Sequence, residues 1–415
     1  MERVKSPGDQ TEARDAYNMG YMIHFVLGAG NLLPWNALIT AVDYFGYLYP
    51  DEHVNKVFSV AYMGSSLPVL VLLLSWGSWS KKLSFRLRMN LGLSMFVFSL
   101  MMAPLIDWTN HSSKPQRRPQ GAYTVTVAAV AVCGLADGLI GGSLIGSAGK
   151  LPRRYMQAVF AGSASSGVIV SIMRIVTKAC LPQTPHGLRI SAHLYFVVTI
   201  FIVLGCIVCC NILDRLPVMQ NYQCKRTMGP RNSDFPDNPP SSMRRLSEVN
   251  EPEQPKFRDV TRKIRWPAFG ILMIYTVTLS IFPGYTTENV NSKFLRDWCH
   301  IFLITQYNVS DLVGKTAVYV PKAIGKTTWA CISRLLFYPL FTACLHGPKQ
   351  LRTEVPVVLL TGMLGLSNGY LTSVLMILAP KSVLVSEAET AGVVMALFLA
   401  IGLAVGSILG WCWII

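Results

Sequence analysis

The sequence predicts an all-α integral membrane protein with eleven transmembrane helices, arranged as six and five. Three observations predict it. Of the 415 residues 51% are hydrophobic and only 14% charged, with a mean hydropathy of +0.39, which is too apolar and too poor in charge for an ordinary soluble domain. Apolar runs of about 20 residues, the length that crosses a hydrocarbon core, recur along the chain. A single long polar stretch separates the sixth run from the seventh.

In chain order, residues 1–17 are polar and of mixed charge, with no short apolar region before a small-residue cleavage site. They read as a cytoplasmic segment rather than a signal peptide. Spans follow near 18–41, 57–77, 89–107, 122–148, 156–177 and 191–213, which make a six-span bundle over 18–213. Residues 214–265 include "DFPDNPPSSMRRLSE", which is rich in proline, serine and charge. They read as a disordered cytoplasmic linker, in which Arg244, Arg245 and Ser247 resemble a phosphorylation site but fit a plain solvated tether better. Spans near 266–286, 298–320, 327–346, 355–379 and 389–413 make a five-span bundle over 266–415. Two bundles joined in this way can rock about a central site.

With the N-terminus inside, most Lys and Arg outside the spans fall on the cytoplasmic side, as the positive-inside rule requires. The formal charge of +15 therefore follows the membrane sides, and nucleic acid is not an expected partner. The lipid bilayer is. The tripeptide "NHS" at Asn110 lies in an outside loop and is a candidate glycosylation site. Ten cysteines sit mostly in apolar segments, and "CIVCC" has no His or Asp partner, so they read as packing residues rather than metal ligands. "GSAGK" lacks the full phosphate-loop spacing. The sequence shows neither a catalytic constellation nor a cofactor motif.

Four spans carry polar groups that a membrane helix bears only for a reason. In the eighth, Asn308, Asp311 and Lys315 fall within about 60° of one another on a helix and form one polar patch. Aspartate four residues before lysine can pair with it. The pair is either a solute site or a lock between two helices, and a neutral, hydroxylated solute such as a sugar would suit the donors and acceptors it offers. In the first span His24, Gly28, Asn31 and Trp35 share one face, with Pro34 loosening the backbone beside the indole. Trp35 reads either as a flat surface for a planar ring or as an interfacial anchor, and His24 as a packing histidine before a proton carrier. In the fourth, Gly134, Gly138, Gly142 and Gly146 form a small-residue ridge for close helix approach. Asp137 on the same span needs a partner. Arg174 on the fifth is the nearest candidate, so an ion pair and a solute or proton role both stay open.

The segments "LGAGNLLPWNALITAVDYF" (27–45), "SLIGSAGKLPRRYMQAVFAG" (143–162), "LSIFPG" (279–284), "YNVSDLVGK" (307–315), "LSNGYLTSVLMILAPK" (366–381) and "AGVVMALFLAIGLAVGS" (391–407) together resemble the equilibrative nucleoside transporters. "AVDYFGYLYP" and "GLADG" look closest to the plant branch. The resemblance runs from about Tyr17 to the end. It implies an eleven-span relative of the major-facilitator architecture, transport of nucleosides by alternating access, and no enzymatic step. It implies that Leu32, Trp35, Asn36 and Ile39 border the nucleobase and that Asp311 and Lys315 address the ribose, supported by Asn308. Ser66, Val69 and Leu403 fall where other pocket residues of the family occur. Two positions depart from the common pattern. Many members have arginine where this chain has Lys315, which lacks a planar fork of donors. Many have glutamine at Gly141, where Asp137 one turn earlier would supply part of the lost polarity.

The sequence thus predicts a nucleoside carrier of the solute-carrier kind. An organic-cation or nucleobase carrier and a non-transporting membrane sensor stand as alternatives. Passive and proton-coupled transport both remain open. The expected location is the plasma membrane, with the vacuolar membrane as the second choice.

Overall fold

A computed structural model describes residues 18–50, 52–75, 83–109, 120–213, 215–216, 257–282, 298–317, 324–346, 348 and 354–411, and all regular structure among them is helical. The helices are α1 Met19–Thr40, α2 Val42–Leu48, α3 Val54–Ser75, α4 Phe85–Thr109, α5 Gln120–Gly149, α6 Arg153–Cys180 and α7 Pro185–Leu213. After the linker come α8 Phe257–Lys263, α9 Arg265–Ile281, α10 Cys299–Thr316, α11 Ile324–Ser333, α12 Phe337–His346, α13 Glu354–Lys381 and α14 Ala388–Trp411.

Eight of these helices are long and apolar enough to cross a membrane, and a ninth crossing arises if α8 and α9, which meet at 78°, count as one bent span. The remaining two expected spans are helical but fall outside that measure, each for a visible reason. Helix α10 gives up apolarity to Gln306, Asn308, Asp311 and Lys315, and the stretch from 324 to 346 is divided by the 3-10 turn Arg334–Leu336. Eleven helical segments therefore correspond to the eleven expected spans, while length and composition alone support eight or nine crossings.

Close packing of small residues assembles the helices, as expected where lipid supplies no hydrophobic drive between them. Helix α1 lies on α6 through a reciprocal contact. A Cβ on Gly162 would come within 1.9 Å of the Phe25 carbonyl oxygen, and one on Gly28 within 2.1 Å of that of Val159. The glycine ridge of α5 divides its partners. Gly134 and Gly138 face the backbone of α3, whereas Gly146 faces Val393 and Glu389 of α14. Among the later helices α10 packs on α13 and α9 on α14. The two sets of helices meet where α6 packs on α10 and where α14 packs on α3 and α5.

One end of this seam is closed. Glu389 at the start of α14 pairs with Lys150 and, at 3.4 Å, with Arg88, while Lys381 Nζ donates to the Leu151 carbonyl at 2.8 Å. A Cβ on Gly392 would come within 2.7 Å of the Ile145 carbonyl oxygen, so the backbones touch here. Next to this end, α8 occupies part of the interval 214–265 that the sequence reads as unstructured. Val260 and Ile264 are fully buried and Lys263 Nζ reaches Glu387 at 2.7 Å, which fixes the end of the linker to α14. Residues 217–256, with Arg244, Arg245 and Ser247, and also Asn110, lie outside the described residues.

Candidate functional site: two polar faces

The first face is built by α1, α3 and α5. Trp35 and Tyr62 place their ring centroids 4.4 Å apart at 37°. One turn along α3 from Tyr62, Ser66 Oγ donates to Asp137 Oδ2 at 3.2 Å, and Tyr62 itself stands beside Asp137. One turn along α5 from Asp137, the missing side chain of Gly141 leaves room that Asn31 borders, since a Cβ there would sit 3.6 Å from the Asn31 amide nitrogen. Asn31 Oδ1 is buried without a hydrogen-bond partner. Leu32, Trp35, Asn36, Ile39, Val69 and Asp137 are half-buried, and Ser66 is buried. The face therefore offers a flat aromatic surface, a carboxylate and an amide with limited bonding among themselves.

The second face is built by α10 and α13, backed by α9 and the 3-10 turn. Asp311 and Lys315 are 6% and 4% exposed. Lys315 Nζ donates to Asp311 Oδ2 at 2.7 Å, the expected pairing along one helix. Asn368 Nδ2 of α13 donates to Asp311 Oδ1, also at 2.7 Å. A buried ion pair is tolerated only when its remaining valences are met, and Asn368 meets one of them. The close approach that allows this comes from Gly369, whose Cβ would lie 2.1 Å from the Asp311 carbonyl oxygen. Behind Asn368, Thr278 of α9 donates to Asn368 Oδ1 at 3.0 Å and accepts from Arg334 Nη2 at 2.7 Å.

Two expected pairings change in the folded chain. Asn308 does not join Asp311 and Lys315. Its Nδ2 donates to the Gly167 carbonyl at 3.1 Å and to Ser171 Oγ at 2.9 Å, which ties α10 to α6, because 60° around the helix is enough to turn it toward a different neighbour. Arg174 pairs with Asp43, at the start of α2, and not with Asp137, whose carboxylate accepts instead from Ser66. Asn36 Nδ2 is engaged with Ser166 Oγ at 2.8 Å, so it too links two helices. His24 is fully buried, with Nδ1 2.7 Å from the Gly20 carbonyl oxygen and its ring 5.1 Å from that of Tyr155, as a packing histidine would be. Leu403 is partly buried against the main core.

Sequence reasoning missed Tyr62, Asn31 as the neighbour of Gly141, Asn368, Thr278 and Arg334. Two carried a signal, Arg334 as a cation within an apolar stretch and Asn31 on the polar face of the first span; Tyr62, Asn368 and Thr278 carried none. Among the described residues no group of three or more His, Cys, Asp or Glu is placed to hold a metal ion.

Comparisons with known proteins speak to the family and the fold. A family profile described as "Nucleoside transporter" matches residues 127–415. The chain is 57% identical over 409 residues to "Equilibrative nucleotide transporter 8" of Arabidopsis thaliana, covering 98% of each sequence. It is 49% identical to "Equilibrative nucleotide transporter 1" of the same plant, covering 97% of this chain and 87% of that protein. Among solved structures, a bacterial homologue of the iron transporter ferroportin in its outward-facing state aligns with a TM-score of 0.56 at 13% identity, over 94% of this chain and 91% of that one. At that identity the likeness concerns the fold alone. A chain built of apolar helices, with two polar faces inside and relatives this close over nearly its whole length, belongs to the nucleoside transporter family and is a multi-pass membrane carrier.

Proposed function

We propose that the protein carries nucleosides by alternating access, with the base against Trp35 and Tyr62 and the ribose at Asp311 and Lys315. The buried Asp311 carries this reading. One oxygen accepts from Lys315 and the other from Asn368, and the lone pairs that remain suit vicinal hydroxyls, which can donate to them. The half-buried indole of Trp35 suits a planar ring, with Leu32, Ile39, Val69 and Leu403 as its apolar surroundings. Because Asp311 and Lys315 are buried, the solute reaches them in a conformation opened relative to this one. The solute leaves chemically unchanged, as in a carrier rather than an enzyme. With the N-terminus cytoplasmic, the closed end at Lys150, Arg88 and Glu389 faces the cytoplasm. The plasma membrane is the proposed location.

Reconstitution into proteoliposomes tests this reading. Wild-type protein should take up uridine and adenosine saturably. Uridine monophosphate should compete poorly, because Lys315 is already paired with Asp311. Asp311→Asn leaves Lys315 buried without its counter-ion, so its abundance should fall; at matched abundance it should raise the KM for uridine about tenfold to a hundredfold, the cost of a charge-assisted hydrogen bond. Unchanged uptake by Asp311→Asn would refute the assignment.

Proton coupling is a second reading, favoured by Asp137. With Arg174 paired to Asp43, the hydrogen bond to the Asp137 carboxylate comes from the Ser66 hydroxyl. A carboxyl group so placed in a span can exchange a proton during a transport cycle. An inward proton gradient should then accumulate uridine above equilibrium, and Asp137→Asn should abolish accumulation while leaving exchange. Equal steady-state uridine on both sides, with or without the gradient, would exclude coupling.

A further inference from the structure

Arg334 is 2% exposed and is the largest of the fully buried side chains among the described residues. Its hydrogen bonds go to neutral groups: Nη1 to Ser367 Oγ at 2.6 Å and to the Leu364 carbonyl at 3.4 Å, and Nη2 to Thr278 Oγ1 at 2.7 Å. The Phe337 ring lies 5.8 Å from its guanidinium carbon, and Nε is buried without a partner. A guanidinium buried on neutral partners is costly, and its placement calls for a compensating use.

The direction of each hydrogen bond shows what that use is. A guanidinium can only donate, so the Thr278 oxygen must accept from Arg334. The Thr278 proton is then left for the Asn368 Oδ1 at 3.0 Å, shared with the Ile274 carbonyl at 2.8 Å. An amide that accepts through its oxygen on one side presents its nitrogen on the other. Asn368 Nδ2 is thereby aimed at Asp311 Oδ1, 2.7 Å away. A flipped Asn368 would set its oxygen against a carboxylate oxygen and its nitrogen against the donating Thr278, so Asp311 and Arg334, which do not touch, select the same orientation from opposite ends.

We propose that Arg334 is a positioning residue for the solute site, acting through Thr278 and Asn368 to hold the Asp311 carboxylate in the orientation that reads the ribose hydroxyls. This rests on the ribose reading of Asp311. The relay leaves a signature that packing alone would not: its loss weakens a solute with ribose hydroxyls and spares one without them.

The test measures KM for uridine and for 2′,3′-dideoxyuridine in proteoliposomes at matched carrier abundance. Arg334→Gln is the direct variant. Thr278→Val, which keeps the volume and removes the hydroxyl, breaks the relay with Arg334 still in place. Either should raise the KM for uridine roughly fivefold to tenfold and leave that for dideoxyuridine nearly unmoved. Thr278→Ser should restore the wild-type value. Added to Asp311→Asn, Thr278→Val should cause no further loss. Equal weakening of both solutes, or full additivity with Asp311→Asn, would overturn the proposal. So would a Thr278→Val carrier with unchanged KM for uridine when Asp311→Asn is impaired. An unimpaired Asp311→Asn carrier would overturn the ribose reading itself and the relay with it.

Discussion

Asp311 and Asp137 are both carboxylates inside membrane spans, yet the chain bonds them very differently. Asp311 is 6% exposed and accepts from its own helix and from α13, with α9 and the 3-10 turn backing the donor. Asp137 is half-buried and accepts from Ser66 at 3.2 Å, with Tyr62 beside it. The first is fixed before any solute arrives; the second keeps bonding capacity for whatever comes. A ribose is the part that ribonucleosides share, and the base is the part that varies. A rigid reader for one and an adaptable reader for the other would accept several nucleosides at little cost in ordering.

This contrast can be broken at several points, and the largest effect should come from the rigid side. Lys315→Ala leaves Asp311 charged and buried without its ion-pair partner, which should destabilise the carrier by about 3–5 kcal/mol. Membrane abundance and thermal stability in detergent should both fall, whereas Lys315→Arg, which keeps the charge four residues on, should retain most of the folded protein. On the adaptable side, Trp35→Ala should spare abundance and weaken nucleosides broadly, by roughly 1–3 kcal/mol if stacking on the base is comparable to that seen elsewhere. Competition binding would show it as a shift of about fivefold to a hundredfold.

A smaller effect is expected where the seam closes. Glu389→Gln removes the carboxylate shared by Lys150 and Arg88. It should favour opening at that end, read as faster reaction of a cysteine introduced at Ala148 with a thiol reagent. Unchanged labelling would show that backbone contact at Gly392, rather than charge, holds the end shut. The smallest effect should come from Arg174→Gln. Its partner Asp43 is 52% exposed along the side chain, and such pairs contribute about 0.2–1 kcal/mol. A large loss in that variant, rescued by Asp137→Asn, would restore the pairing that the sequence suggests and the structure does not contain.

Eight or nine of the expected spans were legible because a membrane crossing is a local property: an apolar run of sufficient length reads the same in the sequence as in the fold. The expected span 18–41 is α1 Met19–Thr40, and 355–379 lies within α13 Glu354–Lys381. The pairing of Asp311 with Lys315 was legible for the same reason, since both lie on one helix. The partners that decide orientation were not. Asn368 is 57 residues from Asp311, and Thr278 is 56 from Arg334. Tyr62 in an apolar run reads as packing until α1 brings Trp35 against it. Asn308 misled because a shared helical face says which residues lie near one another, not which neighbouring helix each will meet. The helix α8 was hidden by its length. Seven residues carry too little periodicity to stand out against a polar linker, and only Glu387 and the buried Val260 reveal why it folds.

The division of labour between the two faces is tested most directly by comparing Trp35→Ala with Asp311→Asn on one pair of competitors, uridine and 2′,3′-dideoxyuridine, at matched abundance. Trp35→Ala should weaken both by a similar factor, because both carry the same base. Asp311→Asn should weaken uridine by tenfold or more, as loss of a charge-assisted bond to a hydroxyl implies, and should barely move dideoxyuridine. If Asp311→Asn weakens the two equally, or Trp35→Ala weakens only uridine, the faces do not divide the nucleoside in this way.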